Sequence, residues 1–120
     1  AQLRPHLNEG EFIERVTRQE KDGYLVVYGE VNGEVVAVAG FRVLENLAWG
    51  RFLYVDDLVT AQTERSKGYG DALMNWLLDY ARASSCAQFH LDSGVQRHDA
   101  HRFYFRQRMK ISSYHFALEL

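Results

Sequence analysis

Between Thr60 and Tyr69 the chain changes its hydrophobic period, and that change limits what it can fold into. Before it come runs rich in Val, Tyr and Phe, two of which, Tyr24 to Val31 and Glu34 to Val43, are joined by Asn32-Gly33. An Asn-Gly pair supplies the two positive φ angles of a type I′ turn, so these runs predict a hairpin. Arg51 to Thr60 reads as a third strand. After the change, Tyr69, Ala72, Leu73, Trp76, Leu77, Tyr80 and Ala81 recur at helical spacing. Asp71, Asn75, Asp79 and Arg82 take the other face of that helix.

The remaining elements are shorter. Asn8 and Glu11 have capping-box spacing, and Phe12, Ile13 and Val16 share one helical face, which predicts a helix from Glu9 to Glu20. Gln88 to Asp92 predicts a strand, Arg97 to Gln107 a second helix, and Ile111 to Leu120 a closing strand. This order predicts an α/β or α+β sheet with helices laid on it. A length of 120 residues, 47% of them hydrophobic, suits one domain over 1–120 with a buried core.

A net charge of -2 argues against a dedicated nucleic-acid binder. Cys86 stands alone, so no internal disulfide can form, and that usage suits a reducing cytoplasm. No apolar run is long enough to cross a bilayer, and no signal-peptide pattern opens the chain.

Chemistry concentrates where the third strand meets the long helix, at Arg65-Ser66-Lys67-Gly68-Tyr69-Gly70. A helix N-terminus carries unpaired N–H groups and the positive end of the helix dipole. Gly68 and Gly70 lack Cβ atoms, so a phosphate can approach the main chain there. Arg65 and Lys67 add charge-assisted contacts. The spacing matches neither the G-x-G-x-x-G dinucleotide fingerprint nor a Walker loop. On the residues alone, a pyrophosphate cradle and a pair of packing glycines remain equal readings.

Leu58-Val59-Thr60 followed by Arg65-x-x-Gly68-x-Gly70 at the head of an amphipathic helix resembles the acetyl-CoA motif of the GNAT family of N-acetyltransferases. Ala100-His101-Arg102-Phe103-Tyr104 resembles the Ala-x-x-x-Tyr of that family's last helix, and the likeness runs in order from Glu9 to Leu120. The resemblance implies a mixed, mostly antiparallel sheet flanked by helices, with acyl-CoA in a splay between two central strands. It implies a cofactor site of Leu58, Val59, Thr60, Arg65, Ser66, Lys67, Gly68, Tyr69 and Gly70. It also implies direct transfer of an acetyl group from acetyl-CoA to a primary amine in a ternary complex. Set against the family, the chain begins after a first strand and the start of a first helix.

Within that resemblance Tyr104 takes the place of the general acid, and a phenol with a pKa near ~10 is a suitable donor to a thiolate. Asp56 and Asp57 match an acidic pair in polyamine-acetylating members, with Asp56 the first choice as base through a water and Asp57 the second. Successive strand residues point to opposite faces unless a bulge intervenes, so the two are not expected to act as a dyad. Their pairing with a nearby Arg or Lys is an equal reading for each. The pair favours a small cationic acceptor, with a protein amine as the other option, and the missing first strand favours a homodimer.

Two positions depart from the family pattern. Arg97 stands where relatives carry Asn, and its guanidinium is a candidate for a CoA phosphate. Arg108-Met109 replaces a Gly-apolar C-cap, so the cap needs another construction or costs about 1 kcal/mol. His98 and His101 have metal-ligand spacing but no third ligand, so no metal is expected. The rival reading is a catalytically silent acyl-CoA-binding regulatory module. A plain interaction domain, with the glycines serving only packing, is a third.

Overall fold

The computed structural model describes residues 13–19, 23–60 and 68–120. A five-stranded sheet runs in sequence order: β1 (Ile13–Gln19), β2 (Tyr24–Val31), β3 (Glu34–Asn46), β4 (Gly50–Thr60) and β5 (Gln88–Leu91). The first three pairings are antiparallel. Helix α1 (Tyr69–Ala83) lies between β4 and β5, and α2 (His98–Arg106) follows β5. The chain divides into two compact units, residues 1–90 and 91–120. The mixed sheet with its two helices is the architecture expected from the sequence, and the Asn32-Gly33 turn has φ of 53° and 82°, as type I′ requires.

Two elements differ from expectation. The stretch assigned to a first helix is a strand over Ile13–Gln19, in register with all of β2's partners from Tyr24 to Glu30. β-Branched Ile13, Val16 and Thr17 suit a strand, and the open edge of β2 supplies the hydrogen bonds that a local helical pattern ignores. Residues 9–12 and 20 of the assigned helix lie outside the described residues. The closing strand from Ile111 to Leu120 is not part of the sheet, and Tyr114, Phe116 and Leu118 stand exposed. Apolar alternation alone does not make a strand, which forms only where its main chain pairs with a neighbour.

The core of the first unit lies between α1 and one sheet face. β2 alternates buried and half-buried positions along its whole length, burying Leu25, Val27 and Val31. α1 sets Leu73, Met74 and Leu77, all fully buried, against the sheet. Phe41 on β3 meets the rings of Trp76 and Tyr80 edge-on at 5.9 and 5.3 Å. Aromatic rings at such angles interact favourably beyond the area they bury.

α1 is fastened at both ends. Gly68 caps its start in the left-handed region, with φ 82°, and its carbonyl accepts the first helical bond from Ala72 N–H at 3.0 Å. At the other end Cys86 N–H donates to Ala81 O and Ser85 N–H to Arg82 O, a Schellman closure with Ser85 at φ 63°. Arg51 Nε donates to Ser84 O at 2.6 Å, and Ala87 N–H returns a bond to Arg51 O. The helix end is thus tied to β4 through one arginine.

Candidate active site

The register between β3 and β4 breaks at one point. Phe41 pairs with Val55 and Gly40 with Asp57, leaving Asp56 as an extra residue on β4. This β-bulge cancels the alternation of the strand. Val55 remains buried with Phe41 on the α1 side, while Asp57 aligns with Gly40 and turns to the opposite face. Asp56 also reaches that opposite face: Arg42, one residue past Phe41, donates to both of its oxygens, at 2.9 and 2.7 Å. The two carboxylates therefore share a face, which is the exception that strand alternation alone leaves open.

Asp57 is held differently. The Tyr24 phenol on β2 donates to its Oδ2 at 3.1 Å. Gly40 makes this possible, because a Cβ there would collide with the phenol oxygen and meet Cζ at 2.6 Å. Burial raises the Tyr24 pKa, helped by the hydrogen bond to Asp57, so the phenol stays a donor. The hydrogen bonds to Asp56 raise the Arg42 pKa in turn, and the guanidinium lies 5.6 Å from the centroid of the Tyr54 ring.

Tyr24, Gly40 and Arg42 are site residues that the sequence reading passed over. A glycine inside a strand run signals a bulge or a close approach, so Gly40 was the available clue. Tyr24 and Arg42 carried no signal, because what matters about them is the strand they lie beside.

The strand continues through Leu58, Val59 and Thr60, which pair with Ala39, Val38 and Ala37. Val59 is 61% exposed, an unusual position for a valine in mid-sheet. Arg65, Ser66 and Lys67 lie outside the described residues. Gly68, Tyr69 and Gly70 open α1, and among the described residues no side chain caps the first amides of the helix. A left-handed glycine at a helix start suits the close approach of a phosphate group, since it carries no Cβ.

In the second unit, Arg97 is the N-cap of α2 and Tyr104 lies on its last turn. Burial raises the Tyr104 pKa and the Arg97 charge opposes that rise, so the phenol is kept protonated. The end of α2 closes as a Schellman motif, with Met109 N–H on Tyr104 O and Arg108 N–H on Phe105 O. Arg108 takes the left-handed position itself, at φ 68°, so the cap is built without the glycine that usually fills it. Of the two histidines with metal spacing, His101 is engaged through Nε2 with Gly94 O at 2.8 Å. Among the described residues no group of three or more His, Cys, Asp or Glu is placed to hold a metal. Burial raises the Cys86 pKa, which does not favour a nucleophilic thiolate.

A bulged acidic strand leading to a glycine-started helix can now be set beside known proteins. The sequence profile of the Acetyltransferase (GNAT) family matches residues 2–109. The chain belongs to the GNAT family. Members are acyl-CoA-dependent N-acetyltransferases that use acetyl-CoA as cosubstrate. The uncharacterized N-acetyltransferase YhdJ of Bacillus subtilis is 34% identical over 105 residues, spanning 87% of this chain and 74% of that protein. The aminoalkylphosphonate N-acetyltransferase of Salmonella typhimurium is 30% identical over 90 residues, spanning 74% of this chain and 58% of that protein.

Solved structures agree on the fold of this GNAT chain. A transcriptional regulator from Bacillus halodurans C-125 superposes with a TM-score of 0.77 at 21% identity, covering 84% of this chain and 69% of the other. A ribosomal-protein-alanine N-acetyltransferase from Brucella melitensis does so with a TM-score of 0.73 at 20% identity, covering 84% and 74%. No helix among the described residues is long and apolar enough to cross a membrane.

Proposed function

We propose that this GNAT domain moves the acetyl group of acetyl-CoA to a primary amine by direct attack in a ternary complex. The observation that supports this most is the bulge at Asp56, which turns two carboxylates to one face just before Gly68-Tyr69-Gly70 opens α1. Acetyl-CoA supplies the activated thioester. The Gly68 to Gly70 amides, with Arg65, Ser66 and Lys67, hold its pyrophosphate, and Arg97 adds a contact to a phosphate. Main-chain groups at Leu58, Val59 and Thr60 pair with the pantetheine arm and give an N–H to the acyl oxygen.

An amine binds as its ammonium ion and must lose a proton before it attacks. Asp57 takes that proton, directly or through water, because both oxygens of Asp56 are already engaged by Arg42. This ordering reverses the one drawn from sequence, which placed Asp56 first. As the new N–C bond forms and the C–S bond breaks, Tyr104 gives its phenolic proton to the departing sulfur, and the second proton that the nitrogen sheds on becoming an amide restores the phenol through water. A small cationic acceptor, a cytoplasmic setting and a homodimer complete the reading.

The test is calorimetric titration with acetyl-CoA, wild type beside Gly68→Glu. Micromolar binding that the variant loses supports the cradle, and Tyr104→Phe then separates enzyme from sensor. A fall in turnover of ~10²-fold or more with unchanged acetyl-CoA affinity is expected of the acid. Turnover that survives Tyr104→Phe would remove that role. No acetyl-CoA binding by folded wild type would sink the proposal.

A further inference from the structure

We propose that Arg42 sets which amines this protein accepts: by neutralising Asp56 it leaves the face one uncompensated carboxylate, and so selects acceptors with a single ammonium group. The inference deepens the proposed function and rests on its reading that this face receives the acceptor. Among the described residues the charged and titratable groups that meet there are Tyr24, Arg42, Tyr54, Asp56 and Asp57.

Counting charge on this face is direct. Asp56 and Asp57 bring two negative charges and Arg42 one positive. The Arg42 contact with Asp56 is two-pronged and partly shielded, with side chains 34% and 24% exposed, which is the geometry of the stronger charge-assisted pairs. Among the described residues no cation pairs with Asp57, whose recorded partner is the neutral Tyr24 phenol. A monocation thus finds one counter-ion. A dication brings a second charge that finds Asp56 occupied and a guanidinium beside it. The acidic pair, which from sequence favours a small cationic acceptor, is by this count a site for one charge.

The experiment compares hexylamine with hexamethylenediamine, titrated calorimetrically into CoA-saturated wild type, Arg42→Gln, Asp56→Asn and the double variant. Equal chain length cancels the apolar contribution, so the ratio of the two affinities reads charge. Arg42→Gln should raise the diamine-to-monoamine ratio about fivefold, the size of one partly screened charge contact. Asp56→Asn should lower it, and the double variant should return it to the wild-type value. A packing role for the pair would move both single variants the same way, and the Asp56→Asn arm stands even if Arg42→Gln does not fold. Ratios that stay level while Asp57→Asn weakens both amines overturn the inference alone. Binding of neither amine, or binding indifferent to Asp57→Asn, overturns the acceptor reading and the inference with it.

Discussion

The two faces of the β3–β4 pair are built from neighbouring residues yet follow opposite rules. On one, Phe41, Leu53 and Val55 are buried beneath α1. On the other, Arg42, Tyr54, Asp56 and Asp57 stand beside Tyr24 in a network of hydrogen bonds and charge. A strand without a bulge would put Val55 and Asp57 on the same face, and one of them would be misplaced. The extra residue at Asp56 lets the strand supply core on its first half and a charged face on its second. One irregularity in pairing thus separates the packed face from the face proposed to receive the acceptor.

That separation can be broken first on the packed side. Leu73 is fully buried, and Leu73→Ala should cost about 2–5 kcal/mol in urea denaturation through lost contacts and the cavity left behind. The fraction still folded should bind acetyl-CoA as wild type does. A loss below about 1 kcal/mol would show that α1 is not the main source of burial for this sheet.

The second change strikes the chemical face through its backbone. Gly40→Ala puts a methyl where the Tyr24 phenol lies, so either the phenol leaves Asp57 or the strand shifts, at about 1–3 kcal/mol. With Tyr24→Ala in place the obstruction is gone, and the same substitution should cost much less. A double-mutant cycle measures the difference. Costs that simply add would mean that Gly40 is needed for some reason other than the phenol.

How much of this was legible in the sequence follows the range of each interaction. Asn32-Gly33, the heptad-like spacing from Tyr69 to Ala81 and the glycines at 68 and 70 are local signals, and the hairpin and α1 fall where they point. Asp56 and Asp57 were visible as candidates, but their shared face was not, because a bulge belongs to a pair of strands and not to either sequence. The Arg42 partner lies fourteen residues away and Tyr24 thirty-three from Asp57, separations that no local pattern encodes. The strand at Ile13–Gln19 was misread for the same reason, its helical spacing being weaker than the pairing offered by β2.

A smaller effect appears at alkaline pH. Burial raises the pKa of both Tyr24 and Tyr104, with Asp57 contributing at Tyr24. A raised pKa means that the fold favours the protonated phenol. The associated stability is complete below the unfolded value of about 10 and is lost as pH climbs through the folded values. Denaturation midpoints should therefore fall from about pH 10 upward, and less steeply in Tyr24→Phe than in wild type. An unchanged slope would mean that the Tyr24 phenol is as accessible to ionisation in the fold as out of it.

The smallest change touches neither face and so calibrates the others. Ser85 and Arg108 each close a helix in the left-handed region, at φ 63° and 68°, where a Cβ is strained and glycine is not. Ser85→Gly and Arg108→Gly remove that strain, worth about 1 kcal/mol, but also loosen the unfolded chain by about half as much. The Schellman bonds to Ala81 and Tyr104 carbonyls survive both changes, since they use the main chain. A net gain of about 0.5 kcal/mol is expected for each, read as a higher urea midpoint at unchanged slope. If both variants instead lose stability, chain entropy outweighs strain at these caps, and a side chain in the left-handed position carries no thermodynamic penalty there.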